Sequence, residues 1–150
     1  PARCVSLYPS TSHSLLSLSH SNSSSGLHKV TISVADGDDR AMQLGADESY
    51  MLTIPATAAA TASLTANTTW GALRGLETLS QLVEWREEVQ GYRLRMAPWA
   101  IADRPRFPYR GALIDTARHF LSVPALLRQI DALAYNKMNT LHWHAVDAGA

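Results

Sequence analysis

The sequence is poor in the features that would assign it quickly to a class. It has one cysteine in 150 residues, Cys4, so no internal disulfide can form. The thiol either pairs with a residue outside this sequence or stays free. No apolar run approaches the roughly 20 residues needed to span a bilayer. Lys plus Arg equals Asp plus Glu, 13 of each. A chain without a basic excess lacks the electrostatic footprint of a nucleic-acid binder. The arginines between Arg93 and Arg118 are interleaved with Asp103 and Asp115 and read as a solvated linker face. The chain starts at Pro1 rather than Met, so any signal peptide would lie outside what is seen.

What is present is an ordinary globular composition, 46% hydrophobic and 17% charged, with length for one domain or for one plus part of another. Two acceptor triplets for N-glycosylation occur, Asn22-Ser23-Ser24 and Asn67-Thr68-Thr69. In a Ser/Thr-rich chain such triplets also arise by chance; together they point toward the secretory pathway. Residues 10–26 are Ser-rich with little apolar period and read as a mobile loop.

Three segments then alternate. His28 to Asp36 places Val30, Ile32 and Val34 on one face and ends in the turn Asp36-Gly37-Asp38. Ser49 to Ala56 places Tyr50, Leu52 and Ile54 together, with Pro55 closing the run. Thr61 to Ala66 is a weaker third strand. The pattern predicts an antiparallel sheet with one covered face. From Trp70, Leu73, Leu76, Leu79, Leu82 and Val83 recur at helical spacing, with Thr68 or Thr69 available as N-cap. Gly71 and Gly75 sit one turn apart. Each costs about 1 kcal/mol relative to alanine in a helix, so the pair predicts close packing on a sheet or a neighbouring domain. Tyr92 to Met96 reads as a strand returning to the sheet. Ala100 to Pro108, with prolines at 105 and 108, reads as an extended connector that is neither helix nor central strand.

After Pro108 the pattern changes. Ala112-Leu113-Ile114 is a short apolar run of the kind buried on both faces. Ser122 and Pro124 start a helix whose stripe is Leu126, Leu127, Ile130, Leu133 and Ala134, and Asn136 can end it in the left-handed conformation. Asn139 to Val146 is a further strand. Strand, helix and strand make a βαβ unit with parallel strands. The expected fold class is therefore α/β. A small α+β domain over 1–108, an antiparallel sheet with a covering helix, precedes an incomplete β-α-β unit over 109–150. Taken alone, residues 109–150 are expected to be poorly ordered, because the last strand leaves an open edge carrying Leu141, Trp143 and Val146.

Parallel α/β folds bind ligands beyond the carboxyl ends of their strands. Asp115-Thr116-Ala117-Arg118-His119 occupies that position after one strand and Asp147 after the other, which predicts Arg118 and Asp147 on a common rim. An arginine fork and a carboxylate suit a hydroxyl-rich ligand; a structural ion pair at the rim is the competing reading. Asp115 either orients Arg118 or caps the local turn, and the sequence is neutral on His119. His142 and His144, two apart on a strand, share a face and invite a metal reading. Strand parity places Asp147 opposite both, and no further ligand cluster is visible, so no metal and no cofactor are expected.

These segments also carry a resemblance. Trp70-Gly71-Ala72-Leu73-Arg74-Gly75-Leu76-Glu77-Thr78-Leu79-Ser80-Gln81-Leu82 resembles the helix of the non-catalytic domain of glycoside hydrolase family 20. Arg106 to Gly111, Asp115 to Phe120 and Asn136 to His144 are similar to that family's entry into its (β/α)8 TIM barrel. The match spans about residues 49–147; residues 1–48 fit by position only. The resemblance implies that 1–108 is the non-catalytic N-terminal domain and 109–150 the first β-α-β unit of a truncated barrel. It implies a retaining, substrate-assisted β-N-acetylhexosaminidase that removes terminal GlcNAc or GalNAc from glycans. Arg118 would bind hydroxyls of the terminal sugar, Asp147 would support the catalytic centre, and Arg110 would be structural. The family's Asp-Glu catalytic pair is expected beyond residue 150, so these residues alone should be inactive. The sequence after Asp147, Ala148-Gly149-Ala150, departs from the family's polar residue and aromatic-Pro turn. The alternative is a catalytically inactive carbohydrate-binding or interaction module. The implied partner is a glycan ending in N-acetylhexosamine, not a nucleic acid, with a homodimer of the longer protein and a lysosomal or extracellular destination.

Overall fold

The computed structural model describes residues 16–17, 27, 29–37, 41–56, 61–94 and 96–148. Cys4, Asn22, His28, Asp38, Gly149 and Ala150 lie outside the described residues. In chain order the elements are β1 (Leu16–Ser17), β2 (Lys29–Asp36), β3 (Tyr50–Ile54), β4 (Thr61–Thr68) and α1 (Thr69–Gln81). They continue with β5 (Val83–Arg86), β6 (Gly91–Leu94), β7 (Trp99–Asp103), β8 (Gly111–Asp115), α2 (Val123–Tyr135) and β9 (Thr140–His144).

Five strands form one sheet in the order β1-β2-β4-β3-β7. The alternation expected for the three main strands holds. Leu52, Ile54 and Leu64 are completely buried, with Val30, Tyr50 and Ala62 beside them. The intervening Met51, Thr53, Ser63 and Thr65 are exposed, so the sheet has one wet face. It is not, however, antiparallel throughout. β4 lies between β2 and β3 and runs parallel to β2, with Ile32 opposite Leu64, while β3 pairs with β4 in the antiparallel sense. Residues 37–49, between β2 and β3, are too many to force a tight hairpin, so consecutive strands need not pair. Leu16–Ser17, inside the Ser-rich stretch read as a loop, forms an edge strand on β2.

The strand that returns to the sheet is also different from the expected one. Trp99–Asp103 pairs antiparallel with β3, placing Ile101 opposite Leu52. It occupies the sheet's edge, and both prolines of the connector follow it. Gly91–Leu94 instead pairs with Val83–Arg86 as a separate two-stranded sheet. A 3-10 turn over Glu87–Val89 and a left-handed Gln90 fold these strands back on each other. Trp85 and Tyr92 meet across that hairpin edge to face, ring centroids 5.1 Å apart.

Helix α1 covers the dry face. Thr68 is its N-cap, its hydroxyl accepting from the Gly71 backbone N–H. Leu76, Leu79 and Leu82 pack on the core, and Ala72 is buried. Leu73 and Val83, at the margins of the stripe, are more than a third exposed. The two glycines let the helix approach. A Cβ on Gly71 would stand 2.2 Å from the Ser49 carbonyl oxygen, and one on Gly75 2.3 Å from Leu64 Cδ1.

β8 and β9 run parallel, Asp115 opposite His144, and α2 connects them. Ser122 ends up as the N-cap residue with no side-chain cap bond, and Pro124 lies in the first turn. At the other end the left-handed residue is Lys137 (φ 54°), not Asn136 (φ −93°). Lys137 N–H bonds to Ala134 O at 3.0 Å and Met138 N–H to Leu133 O at 2.9 Å, the paired bonds of a Schellman cap. No described helix is long and apolar enough to cross a membrane.

Gly71→Ala should therefore destabilise the protein by about 1–3 kcal/mol despite alanine's better helix propensity, because the new methyl meets backbone rather than a side chain that can move. Urea titration followed by circular dichroism measures this; an unchanged midpoint would remove the close-approach account.

Candidate functional site

Asp115 ends β8 and His144 ends β9, and the strands are parallel, so the residues that follow both emerge on one side. There the chain builds a polar rim. Asp115 Oδ1 accepts the backbone N–H groups of Ala117 (3.0 Å) and Arg118 (3.1 Å), which folds the segment into a tight turn. Its Oδ2 takes Nε (2.6 Å) and Nη2 (2.6 Å) of the Arg118 side chain. Turn capping and arginine orientation, offered above as alternatives, are both performed by this one carboxylate. The Arg118 backbone N–H, with its guanidinium and the Ala117 N–H, holds Asp115 below the usual carboxylate range. The turn is tied to the second strand by Thr116 N–H to His144 O at 3.0 Å and by Trp143 Nε1–H to Thr116 Oγ1 at 2.8 Å.

Arg118 and Asp147 do reach the same rim, with Nε 4.0 Å from Asp147 Oδ2. The contact is looser than the one to Asp115. Two of the five arginine N–H donors engage Asp115, and the side chain is 63% exposed, so the rest of the fork faces water. His119 is exposed. The separation of His144 from Asp147 expected from strand parity does not hold: His144 Nε2 lies 3.5 Å from Asp147 Oδ2. β9 ends at His144, and the turn that follows abandons the two-residue period. Among the described residues no group of three or more His, Cys, Asp or Glu is arranged around a metal position. Asn67, the described glycosylation candidate, is exposed at the end of β4, its Nδ2 donating to Asp47 Oδ2 at 2.8 Å.

At the opposite end of β8 and β9 lies a cluster of which only Arg110 was expected, as a structural position implied by the resemblance. Glu48, 5% exposed, receives Arg74 Nε from α1 at 2.7 Å and Arg110 Nη2 from the start of β8 at 2.5 Å. Asn139 Nδ2 approaches its other oxygen at 3.4 Å. The arginines extend the network to main chain: Arg74 to Met138 O at 3.1 Å, Arg110 to Lys137 O at 2.9 Å and to Phe107 O at 2.8 Å. Lys137 reaches back to Tyr50 OH at 3.3 Å, to Thr78 Oγ1 and toward Asp103, 3.8 Å away. Burial alone would push the Glu48 carboxyl up; bonds and charge from Arg110 and Arg74 outweigh it and hold the group below its ordinary value. Burial pushes the Tyr50 phenol up to about 12, helped by its bond to Asp103, and pulls the Lys137 ammonium down against the attraction of Asp103 and Glu77. Glu48 stands before an apolar alternation and breaks no local rule, so only its spatial partners reveal it.

Residues 4–82 match the family model "beta-acetyl hexosaminidase like", and residues 107–150 match "Glycosyl hydrolase family 20, catalytic domain". The chain belongs to glycoside hydrolase family 20. It is 44% identical over 122 residues to beta-hexosaminidase subunit B2 of Dictyostelium discoideum, an alignment covering 81% of this chain and 22% of that protein. It is 47% identical over 118 residues to beta-hexosaminidase subunit beta of Mus musculus, covering 79% and 21%. Among solved structures it resembles Flavobacterium johnsoniae chitobiase, with TM-score 0.66, 37% identity and coverage of 80% of this chain and 17% of that one. It also resembles the exo beta-N-acetylglucosaminidase of Vibrio harveyi in complex with N-acetylglucosamine, with TM-score 0.60, 30% identity and coverage of 76% and 16%. The chain spans about a fifth of the length of the relatives it matches.

Glu48→Ala should leave two half-buried arginines without their carboxylate and cost about 2–3 kcal/mol of docking stability, less than the loss of a fully buried pair. In hydrogen exchange, amides of 111–115 and 140–144 should lose protection while those of 50–54 and 61–68 keep it; equal loss everywhere would refute a docking role. The pH dependence has a defined sign. A carboxyl lowered on folding stabilises the folded form above its ordinary value of 4.5 and ceases to do so as the pH falls through the folded value. The same amides should therefore lose protection on acidification below 4.5, and Glu48→Gln should blunt that dependence.

Proposed function

We propose that this chain is the opening part of an exo-acting β-N-acetylhexosaminidase that removes terminal GlcNAc or GalNAc from glycans. In this reading residues 1–108 are the non-catalytic domain, and 109–150 are the first β-α-β unit of a (β/α)8 TIM barrel. The observation that carries it is the rim at the carboxyl ends of β8 and β9. There Arg118 is held by Asp115 with its Nε 4.0 Å from Asp147 Oδ2, and the side chain is 63% exposed, so its donors beyond those bonded to Asp115 stay open to a ligand.

The chemistry proposed is retaining and substrate-assisted. The sugar's own 2-acetamido oxygen attacks the anomeric carbon, so the protein supplies no nucleophile. Arg118 donates to hydroxyls of the terminal sugar, and Asp147 supports the catalytic centre as an acceptor. The Asp-Glu pair that orients the acetamido group and protonates the leaving oxygen belongs to later barrel strands. Asn67, exposed within its acceptor triplet, and Asn22 are the proposed glycosylation sites of a protein of the secretory pathway, lysosomal or extracellular, acting as a homodimer in its longer form.

Arg118→Ala in the longer protein should lower kcat/KM on a chromogenic N-acetylglucosaminide by about 10- to 100-fold, the range expected for losing charged hydrogen bonds of about 1.5–3 kcal/mol. Full retained activity would remove the role given to Arg118. Absence of any activity in the wild-type longer protein would favour the inactive binding module.

A further inference from the structure

We propose that His144 is a positioning residue for the Asp147 carboxylate, which rests on the reading of Asp147 as a site residue given above. The backbone that carries the imidazole is held before any ligand arrives. His144 closes β9, stands opposite Asp115 in the strand register, and accepts Thr116 N–H at its carbonyl. Its Nε2 is shielded from solvent, yet has no hydrogen-bond partner among the described residues. A shielded polar atom left in that state is destabilising until it finds a partner. The carboxylate 3.5 Å away, Asp147 Oδ2, is the acceptor within reach.

Asp147 is free to respond. Its other neighbour, Arg118, spends its close bonds on Asp115 and stays 4.0 Å off. A small rotation of the Asp147 side chain converts the 3.5 Å approach into a hydrogen bond from Nε2–H. The carboxylate is then held by the imidazole, with the guanidinium 4.0 Å from it. A carboxylate so held presents its acceptor oxygens in one orientation, which is what a rim residue needs in order to act without reorganising. His142, on the same strand face and exposed, has no such partner among the described residues and serves as an internal control.

The test is an NMR comparison of the two imidazoles, labelled at nitrogen, in the longer protein. The charged groups around His144 are Asp147 and, behind it, Arg118 and Asp115. Asp147→Asn should move the His144 Nε2 resonance, the response to losing the acceptor beside it, and leave that of His142 in place. A second pair of variants reads the contact from the other side. His144→Gln, which keeps a donor, should leave the 13C resonance of the Asp147 carboxyl near its wild-type position, and His144→Phe should move it. A His144 Nε2 resonance unmoved by Asp147→Asn, or identical Asp147 carboxyl resonances in the Gln and Phe variants, would overturn the proposal. A parallel addition of N-acetylglucosamine to the longer protein tests the underlying reading separately. Sugar-induced shifts at Arg118 with no His144–Asp147 coupling reject the positioning role alone; coupling with no response to sugar rejects the functional reading alone.

Discussion

One buried carboxylate sets where everything else stands. Glu48 sits at the meeting point of the loop before β3, the helix that covers the sheet and the first residues of β8, and it satisfies a guanidinium from each of the last two. A buried charge is tolerated only when its partners are close and well aligned, so the cluster admits one relative placement of these elements. Arg74 and Arg110 then bind main-chain oxygens of Met138, Lys137 and Phe107. They fix the turn entering β9 as well as the start of β8. Hydrophobic contact alone is directionless; here the direction comes from forked donors.

The division of labour along β8 and β9 follows. At their amino ends the pair is clamped to the sheet by saturated, shielded ion pairs. At their carboxyl ends the polar groups are exposed and only partly committed, with Arg118 oriented by Asp115 and still open to water. Rigidity at one end and unspent hydrogen-bonding capacity at the other are what parallel α/β architecture offers a ligand. In a family 20 chain that ligand is a terminal amino sugar under the function proposed.

Periodicity made much of this readable in advance. Leu52, Ile54 and Leu64 fall on the inner face as their alternation requires, and Gly71 and Gly75 mark the close approach of α1. Topology was less legible. Which strand neighbours which depends on loop reach rather than on local pattern, so β4 could lie parallel to β2 with no local signal. Trp99–Asp103 was obscured by the prolines that follow it. The end of α2 falls one residue later than the best left-handed former because Lys137 is anchored by Tyr50, Thr78 and Asp103. At the rim, Arg118 and Asp115 were readable from their place after a strand. The approach of His144 to Asp147 was not, since it needs the chain to leave the strand period at a point that no residue type marks.

The wet face of the main sheet carries a further consequence. Ser33, Met51, Thr53, Ser63 and Thr65 project from strands whose other face holds the main buried cluster. Such positions carry only the requirement for an extended backbone and a soluble surface. Substitution there is uncoupled from the packing beneath α1, and the two sides of a single sheet are free to diverge at different rates.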